Sequence, residues 1–437
     1  MSVSLRRWNK LTPSEQERLL SRSEIDIAEC TEAVSAIIDA VRHHGDSALR
    51  EFSTRFDQAP SNLSIRVPQH HFDEAEASLP QDLKEAIAYS VESVRRYHAD
   101  QCPDGIEWKE VRPGAFAGER TLPIDSAAFY VPRARGSFPS MLYMMAIPAK
   151  IAGVARVAVA SPPDEQGRVD AACLYTARLC GVDEVYAMGG AQAWAALAYG
   201  TETVQAVDKC LGPGSKYVAA AKRLLGDVLD CGLPAGPSES IILADGTPDA
   251  QDIARNLLVE AEHGADSAAL LITPDETLAQ QCGQILEQLI QELPEPRQSF
   301  VTQVLRDYGG ILLAQDMDEA VDLVNRFATE HLQVRTADPF EQLPGIRNAG
   351  EILLGEHTPF SVANYSVGAN AVLPTGGRAK TWSGVSVRDF KKQSSVIRLT
   401  AQALREMGPH AARLASYEGF PAHEQAITQH PDLQGQS

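Results

Sequence analysis

Val157-Ala-Val-Ala160, the run Val169 to Cys180, and Glu184-Val-Tyr-Ala-Met188-Gly-Gly190 form the stretch that decides the fold. The two short apolar runs, each ending at a turn, read as buried strands, and the longer run between them as the crossover helix. Outward from this stretch, Ala127-Ala-Phe-Tyr-Val131 reads as a strand and Tyr143 to Ala152 as a helix. A second alternating block begins near Ser238. Strands are predicted at Ser240-Ile-Ile-Leu-Ala244, Ala268-Ala-Leu-Leu-Ile272, Gly310-Ile-Leu-Leu-Ala314 and Glu351-Ile-Leu-Leu-Gly355. Helices are predicted over Asp249 to His263, Glu276 to Glu292 and Asp316 to Ala328. Such alternation predicts an α/β protein with parallel, doubly wound sheets, in two units joined near Gly232 to Pro237. The first hundred residues are helix-rich, with helical spacing over Glu32 to Phe52 and Gln81 to Gln101. From about Arg388 the chain reads as helical and polar, with no strand signal, like an appendage reaching a partner subunit.

With 437 residues, 44% of them hydrophobic and 22% charged, the chain has the makings of a globular enzyme of more than one domain. A formal charge of -19 argues against nucleic acid or an anionic membrane as a general partner, though not against a small anionic substrate in a local cationic pocket. Seven scattered cysteines with no CxxC pair suggest neither a thiolate zinc knuckle nor a disulfide framework. Met1 to Leu20 is polar and lacks the apolar core of a signal peptide. The most apolar stretch, Met141 to Val159, is broken by Pro148 and Lys150, so it reads as helix plus strand and not as a membrane span. A soluble, cytoplasmic protein is expected.

No GxGxxG is present. Two glycine turns, Met188-Gly-Gly-Ala-Gln192 and Leu211-Gly-Pro-Gly-Ser-Lys216, each open a predicted helix, where free backbone N–H groups suit a phosphate. Such turns are also common as plain structure. Glu260 and His263, three apart at a predicted helix end, share one face and make half a zinc site or an ordinary helix terminus carrying a histidine. Glu330 and His331 are adjacent at a helix end. Neighbouring side chains point apart, so the pair reads as two acid–base groups on opposite sides of one pocket, or as a solvated helix end. His423 in the tail is a distant further ligand candidate.

Together, several segments resemble histidinol dehydrogenases. They are Tyr130-Val-Pro, Met188 to Thr201, Asp208-Lys-Cys-Leu-Gly-Pro-Gly214 and Leu233-Pro-Ala-Gly-Pro-Ser-Glu239. Ala261-Glu-His-Gly264, Thr329-Glu-His-Leu332, Val372-Leu-Pro-Thr375 and Glu418 to His423 continue the match in order, over about Phe129 to Ala426. The resemblance implies an NAD- and zinc-dependent enzyme that takes a primary alcohol through an aldehyde to a carboxylate in two hydride transfers. It implies two incomplete Rossmann-like domains with helical N- and C-terminal extensions: an arm over 1–28, a first domain over 29–128 with 239–384, a second over 129–238, and a tail over 385–437. It also implies a homodimer in which the tail completes the partner's active site. On this chain His331 would take the alcohol proton and Glu330 would activate the water that adds to the aldehyde. Tyr130, Gln192 and Ser215 fall at NAD positions. Ser238 and, from the other subunit, Glu418 fall at substrate positions. The zinc positions, which also face substrate, fall on Glu260, His263, Asn364 and His423.

This chain departs from the family's usual pattern in places that matter. Glu260 stands where glutamine is usual and Asn364 where aspartate is usual, so the carboxylate and amide have traded places and the ligand set keeps its charge. Ala371 replaces a common histidine, Ser215 a common asparagine, and Arg133-Ala134 a usual glycine pair, followed by Arg135. Arginine forks suit carboxylate, sulfonate or phosphate, or these two simply decorate a surface loop. A changed pocket points to a substrate other than L-histidinol, such as an anionic polyol of the dihydroxypropane sulfonate kind. Histidinol oxidation itself is the alternative. A non-catalytic binding protein on the same fold would have to lose the Glu330–His331 pair, which is intact.

Overall fold

The computed structural model describes residues 3–21, 28–101, 105–133 and 136–434. Its strands are β1 (Leu5–Arg7), β2 (Ile106–Arg112), β3 (Ala115–Pro123), β4 (Ser126–Tyr130), β5 (Arg156–Ser161) and β6 (Glu184–Ala187). There follow β7 (Lys209–Leu211), β8 (Glu239–Ala244), β9 (Ala268–Thr273), β10 (Gly310–Leu313), β11 (His331–Arg335), β12 (Glu351–Leu354) and β13 (Lys391–Leu399). The chain divides into two compact units, one of Met1–Gln101 with Asp125–Phe390, the other of Cys102–Ile124 with Lys391–Ser437.

The first unit holds two parallel sheets. One runs β6-β5-β4-β7 and the other β1-β10-β9-β8-β11-β12. Every residue of β8 and of β9 is buried, as expected of parallel strands with helices on both faces. The alternation sorts their side chains. Ile242, Ala269, Leu271 and Ile311 enter a core with the helices Ala250–Ala261 and Glu276–Glu292. Ile241, Leu243, Leu270 and Ile272 face the opposite way, toward the helix Met317–Phe327. A third core packs the four-stranded sheet against the helices Ala28–Asp57, Gly190–Tyr199 and Lys216–Leu225. Aspartate caps set several helix starts: Asp275 accepts from Leu278 N–H at 2.7 Å and Asp316 from Glu319 N–H at 2.8 Å.

The predicted α/β alternation holds, and the helix Glu276–Glu292 has its predicted limits. Two expectations need correction. The arm residues Leu5–Arg7 add an edge strand to the six-stranded sheet by pairing with β10. The segment after Arg388 is not free of strand. β13 pairs antiparallel with β3, which pairs with β2, and only from Ala401 does the second unit become helical. Both faces of β2 and β13 are largely exposed, so these two carry no apolar alternation to read. Among the described residues no helix is long and apolar enough to cross a membrane. Among the described residues no disulfide is formed, and burial pushes the thiols of Cys173, Cys180 and Cys282 up to about 12.

Candidate active site

Glu330 and His331 sit where the helix Met317–Phe327 has ended. Ala328 turns the chain with a left-handed backbone, φ 52°, and His331 becomes the first residue of β11. The pair is therefore at a strand start and buried, at 8% and 3% exposure, and not at a solvated helix end. Nor do the two side chains occupy opposite sides of a pocket. The turn before β11 brings Glu330 Oε2 to 3.7 Å from His331 Nε2.

A second group converges on the same imidazole. Glu260, fully buried on the last turn of the helix Ala250–Ala261, has Oε1 4.0 Å from His331 Nε2. His263 lies beyond the helix end, which Glu262 caps, so helical spacing is not what joins it to Glu260. A tight turn does so, with His263 N–H donating to Glu260 O at 3.3 Å and Nδ1 lying 3.1 Å from Glu260 Oε2. Ser238 Oγ is 2.9 Å from the same Nδ1. Asn364, on the short helix Phe360–Tyr365, donates from Nδ2 to Glu260 Oε1 at 2.7 Å. The structure thus gathers Ser238, Glu260, His263, Glu330, His331 and Asn364 in the first unit. Glu418 and His423 lie in the second unit, both exposed.

The electrostatics follow from burial and proximity. Burial pushes Glu330 well above the ordinary carboxylate range, against the pull of His331. Burial also opposes the His331 imidazolium, but Glu260, Glu330 and Glu351 outweigh it and push this pKa up to about 10. For Glu260 burial acts upward, yet His331, His263 and the Asn364 hydrogen bond hold it below the ordinary value. Held this way, both Glu330 and His331 keep their protons near neutral pH; a cation bound at Glu260 would offset the charge that raises both, so that His331 Nε2 and the Glu330 carboxylate could then act as bases.

Among the described residues no three His, Cys, Asp or Glu side chains stand as a ready metal cage. The set here is a carboxylate, an imidazole and an amide. Asn364 Oδ1 is buried without a hydrogen-bond partner, and Glu260 Oε2 makes no hydrogen bond and has the His263 imidazole beside it at 3.1 Å. Orphaned buried oxygens of this kind are costly unless something positive meets them. Oxygen and imidazole donors are zinc ligands, and this set fits that ion.

Three loops are stitched around the site. Glu239 N–H donates to Glu330 Oε2 at 3.0 Å, Gly376 N–H to Glu239 Oε1 at 2.8 Å, and Gly236 N–H to Thr375 Oγ1 at 2.6 Å. A cavity of about 1420 Å³ lies beside Glu239 and is lined also by Lys222, Gly236, Arg326, Thr375 and Trp382.

Tyr130 ends β4, and its hydroxyl accepts from Gly190 N–H at 3.1 Å. Burial pushes the Tyr130 hydroxyl up to about 12, so it stays protonated. Gly190, φ 59°, opens the helix Gly190–Tyr199, and a Cβ there would lie 2.8 Å from Gln192 Oε1. Tyr130, Gln192 and the glycine turn therefore form one cluster at the carboxyl ends of β4 and β6, where ligands bind in such sheets. Ser215 caps the helix Lys216–Leu225 through its backbone only and is exposed. Arg133 reaches Asp164 at 3.9 Å, and Arg135 lies outside the described residues. Reading the sequence missed Asp57. Its Oδ1 is 3.4 Å from where a Gly189 Cβ would be, its Oδ2 is buried without a hydrogen bond, and burial pushes it up to about 6 against the pull of Arg133. It also missed Glu351, whose Oε1 is 2.6 Å from His331 Nδ1. Pairing between distant strands brings Glu351 there, and no local pattern announces it.

A family model, Histidinol dehydrogenase, matches residues 20–430. The chain is 46% identical over 424 residues to a histidinol dehydrogenase of Synechocystis sp., covering 97% of this chain and 98% of that one. It is 45% identical over 428 residues to a histidinol dehydrogenase homolog of Colwellia psychrerythraea, covering 98% and 96%. The crystal structure of histidinol dehydrogenase from Elizabethkingia anophelis superposes with a TM-score of 0.92 at 31% identity, covering 99% of this chain and 98% of that one.

Proposed function

Because the chain belongs to the histidinol dehydrogenase family, whose members are NAD-dependent oxidoreductases acting on CH–OH groups, we propose that it oxidises a primary alcohol to a carboxylate in two hydride transfers, with zinc and on a substrate other than L-histidinol. The buried Glu330–His331 pair carries the reaction, and the hydrogen-bonded Glu260–Asn364 exchange carries the change of substrate.

When bound, NAD accepts the hydride at each oxidation and zinc polarises the substrate oxygen. The rest falls to the chain. His331 Nε2 takes the hydroxyl proton as hydride leaves the carbinol carbon, which gives the aldehyde. Glu330, kept dry and held by the Glu239 N–H, takes a proton from the water that adds to that aldehyde. The hydrate anion so formed then loses hydride to give the carboxylic acid, which releases its proton and leaves as the carboxylate. Glu260, His263 and Asn364 hold the metal, and Ser238 orients His263 and substrate. Tyr130, Gln192 and the turn at Gly190 hold the dinucleotide, with Ser215 at the start of the next helix. Glu418 and His423, exposed in the tail unit, reach the site of a second copy in a homodimer.

An anionic polyol such as a dihydroxypropane sulfonate is the substrate class that the re-cut pocket favours, and four similar relatives bear the name histidinol dehydrogenase homolog or homolog 2. L-histidinol is the second reading, favoured by 46% identity to the Synechocystis histidinol dehydrogenase. A screen of NAD reduction with L-histidinol, 2,3-dihydroxypropane-1-sulfonate and related hydroxylated anions decides between them. The expected result is NADH formed fastest with a hydroxylated anion. Fastest turnover of L-histidinol would reverse the assignment.

A further inference from the structure

We propose that Glu351 is a positioning residue that fixes the ring of His331 with its proton on Nδ1 and its Nε2 turned to the reacting oxygen. The inference rests on reading His331 as the base. Glu351 is not among the residues that the family resemblance marks.

Strand register puts it there. His331 opens β11 and Glu351 opens β12, directly opposite in a parallel pair, so the two side chains leave the sheet on the same face. The approach is unusually close. Gly350 N–H donates to Thr329 O at 2.9 Å and Glu351 N–H to Glu330 O at 3.0 Å. A Cβ on Gly350 would lie 2.5 Å from the Glu330 carbonyl oxygen, so only glycine lets β12 enter at this depth. The Glu351 side chain is 12% exposed and that of His331 4%, and the Phe360 ring packs edge-on to the imidazole at 6.1 Å.

At 2.6 Å, Glu351 Oε1 and His331 Nδ1 share a proton in a short charge-assisted hydrogen bond. A neutral imidazole has one N–H and one lone pair. Holding the N–H at Nδ1 leaves the lone pair at Nε2, the atom that faces Glu330 at 3.7 Å and Glu260 at 4.0 Å. Without this acceptor the ring is free to invert its tautomer or to rotate, and Nε2 no longer waits as a base. When Nε2 takes the substrate proton, the carboxylate at Nδ1 also compensates the charge that forms.

The direct test is ¹⁵N and ¹H spectroscopy of the His331 ring in the full-length, metal-loaded protein. A proton on Nδ1, far downfield and slow to exchange, is expected, and Glu351→Gln should move it upfield. Finding Nδ1 without a proton, or unmoved by Glu351→Gln, overturns the proposal. This readout involves no substrate, so it fails or succeeds independently of which alcohol is oxidised. The kinetic arm uses whichever of L-histidinol and 2,3-dihydroxypropane-1-sulfonate turns over faster. Glu351→Gln, which keeps the side-chain volume, should lower kcat about tenfold or more with KM little changed, in line with other carboxylates that orient a histidine. The same substitution should add no further loss in a His331→Asn background. Independent, multiplying losses would mean that Glu351 does not act through His331.

Discussion

Asn364 Nδ2 donates to Glu260 Oε1 at 2.7 Å, and the remaining oxygen of each side chain is buried without a hydrogen bond. The amide and the carboxylate are thus a matched pair, and changing one without the other should be felt at the metal. Glu260→Gln is expected to weaken zinc binding about 10- to 100-fold, measured by calorimetric titration of chelator-treated protein. Adding Asn364→Asp should recover most of that loss by restoring the charge. A double variant no better than the single one would reject the pairing.

Removing the acid–base groups should separate the two oxidations. His331→Asn should cut turnover of the alcohol by about 10² to 10⁴. Glu330→Gln keeps an acceptor for the Glu239 N–H but cannot take a proton from water. It is expected to let aldehyde form while slowing its oxidation, seen as trapped aldehyde exceeding carboxylate. Equal loss of both steps in Glu330→Gln would assign the two residues one shared role.

At the dinucleotide turn, Tyr130→Phe removes the acceptor of the Gly190 N–H. A loss of about 1 kcal/mol is expected, or roughly fivefold in NAD affinity, with the melting temperature lowered slightly. Gly190→Ala should be worse, because its positive φ and the 2.8 Å approach to Gln192 Oε1 both disfavour a side chain. Titration of NAD fluorescence quenching measures both. Unchanged NAD affinity in both would remove this turn from the cofactor site.

Acid stability should report on Asp46, far along the chain from these residues. Burial alone would raise this carboxyl, but hydrogen bonds from Thr201 at 2.6 Å and Thr203 at 2.5 Å, with Arg50 at 3.4 Å, hold it below the ordinary value. A depressed folded-state pKa stabilises the fold above the unfolded value and loses that contribution as pH falls through the folded one. Asp46→Ala is therefore expected to cost about 2 kcal/mol at pH 7 and progressively less below pH 4. Denaturant melts at several pH values check this, and a pH-independent difference would place the loss in packing.

The parallel sheets were legible because β8 and β9 are short, mostly apolar and wholly buried runs beside helices with aspartate caps. The site was legible through type and order: Glu260, His263, Glu330, His331 and Asn364 were all singled out, and they meet. What escaped was set by distance. Sequence neighbours in a strand alternate sides, but Glu330 precedes the first residue of β11 and is free to fold back onto His331. Glu351 reaches that ring through register between two strands, which no window on the sequence contains. The polar, exposed β2 and β13 offered no apolar alternation, so their pairing with β3 was invisible.

That last sheet has a consequence for how the chain is made. Gln393 meets Thr121 across 272 residues, and β3 pairs with β13 along its whole length. During synthesis the β2–β3 hairpin emerges early and waits, with one edge open, while both parallel sheets are still being assembled. Only the last stretch of the polypeptide can close that edge. A truncation just before Lys391 would leave that edge of β3 permanently open, with the charged Glu119 and Arg120 on the strand that lacks its partner.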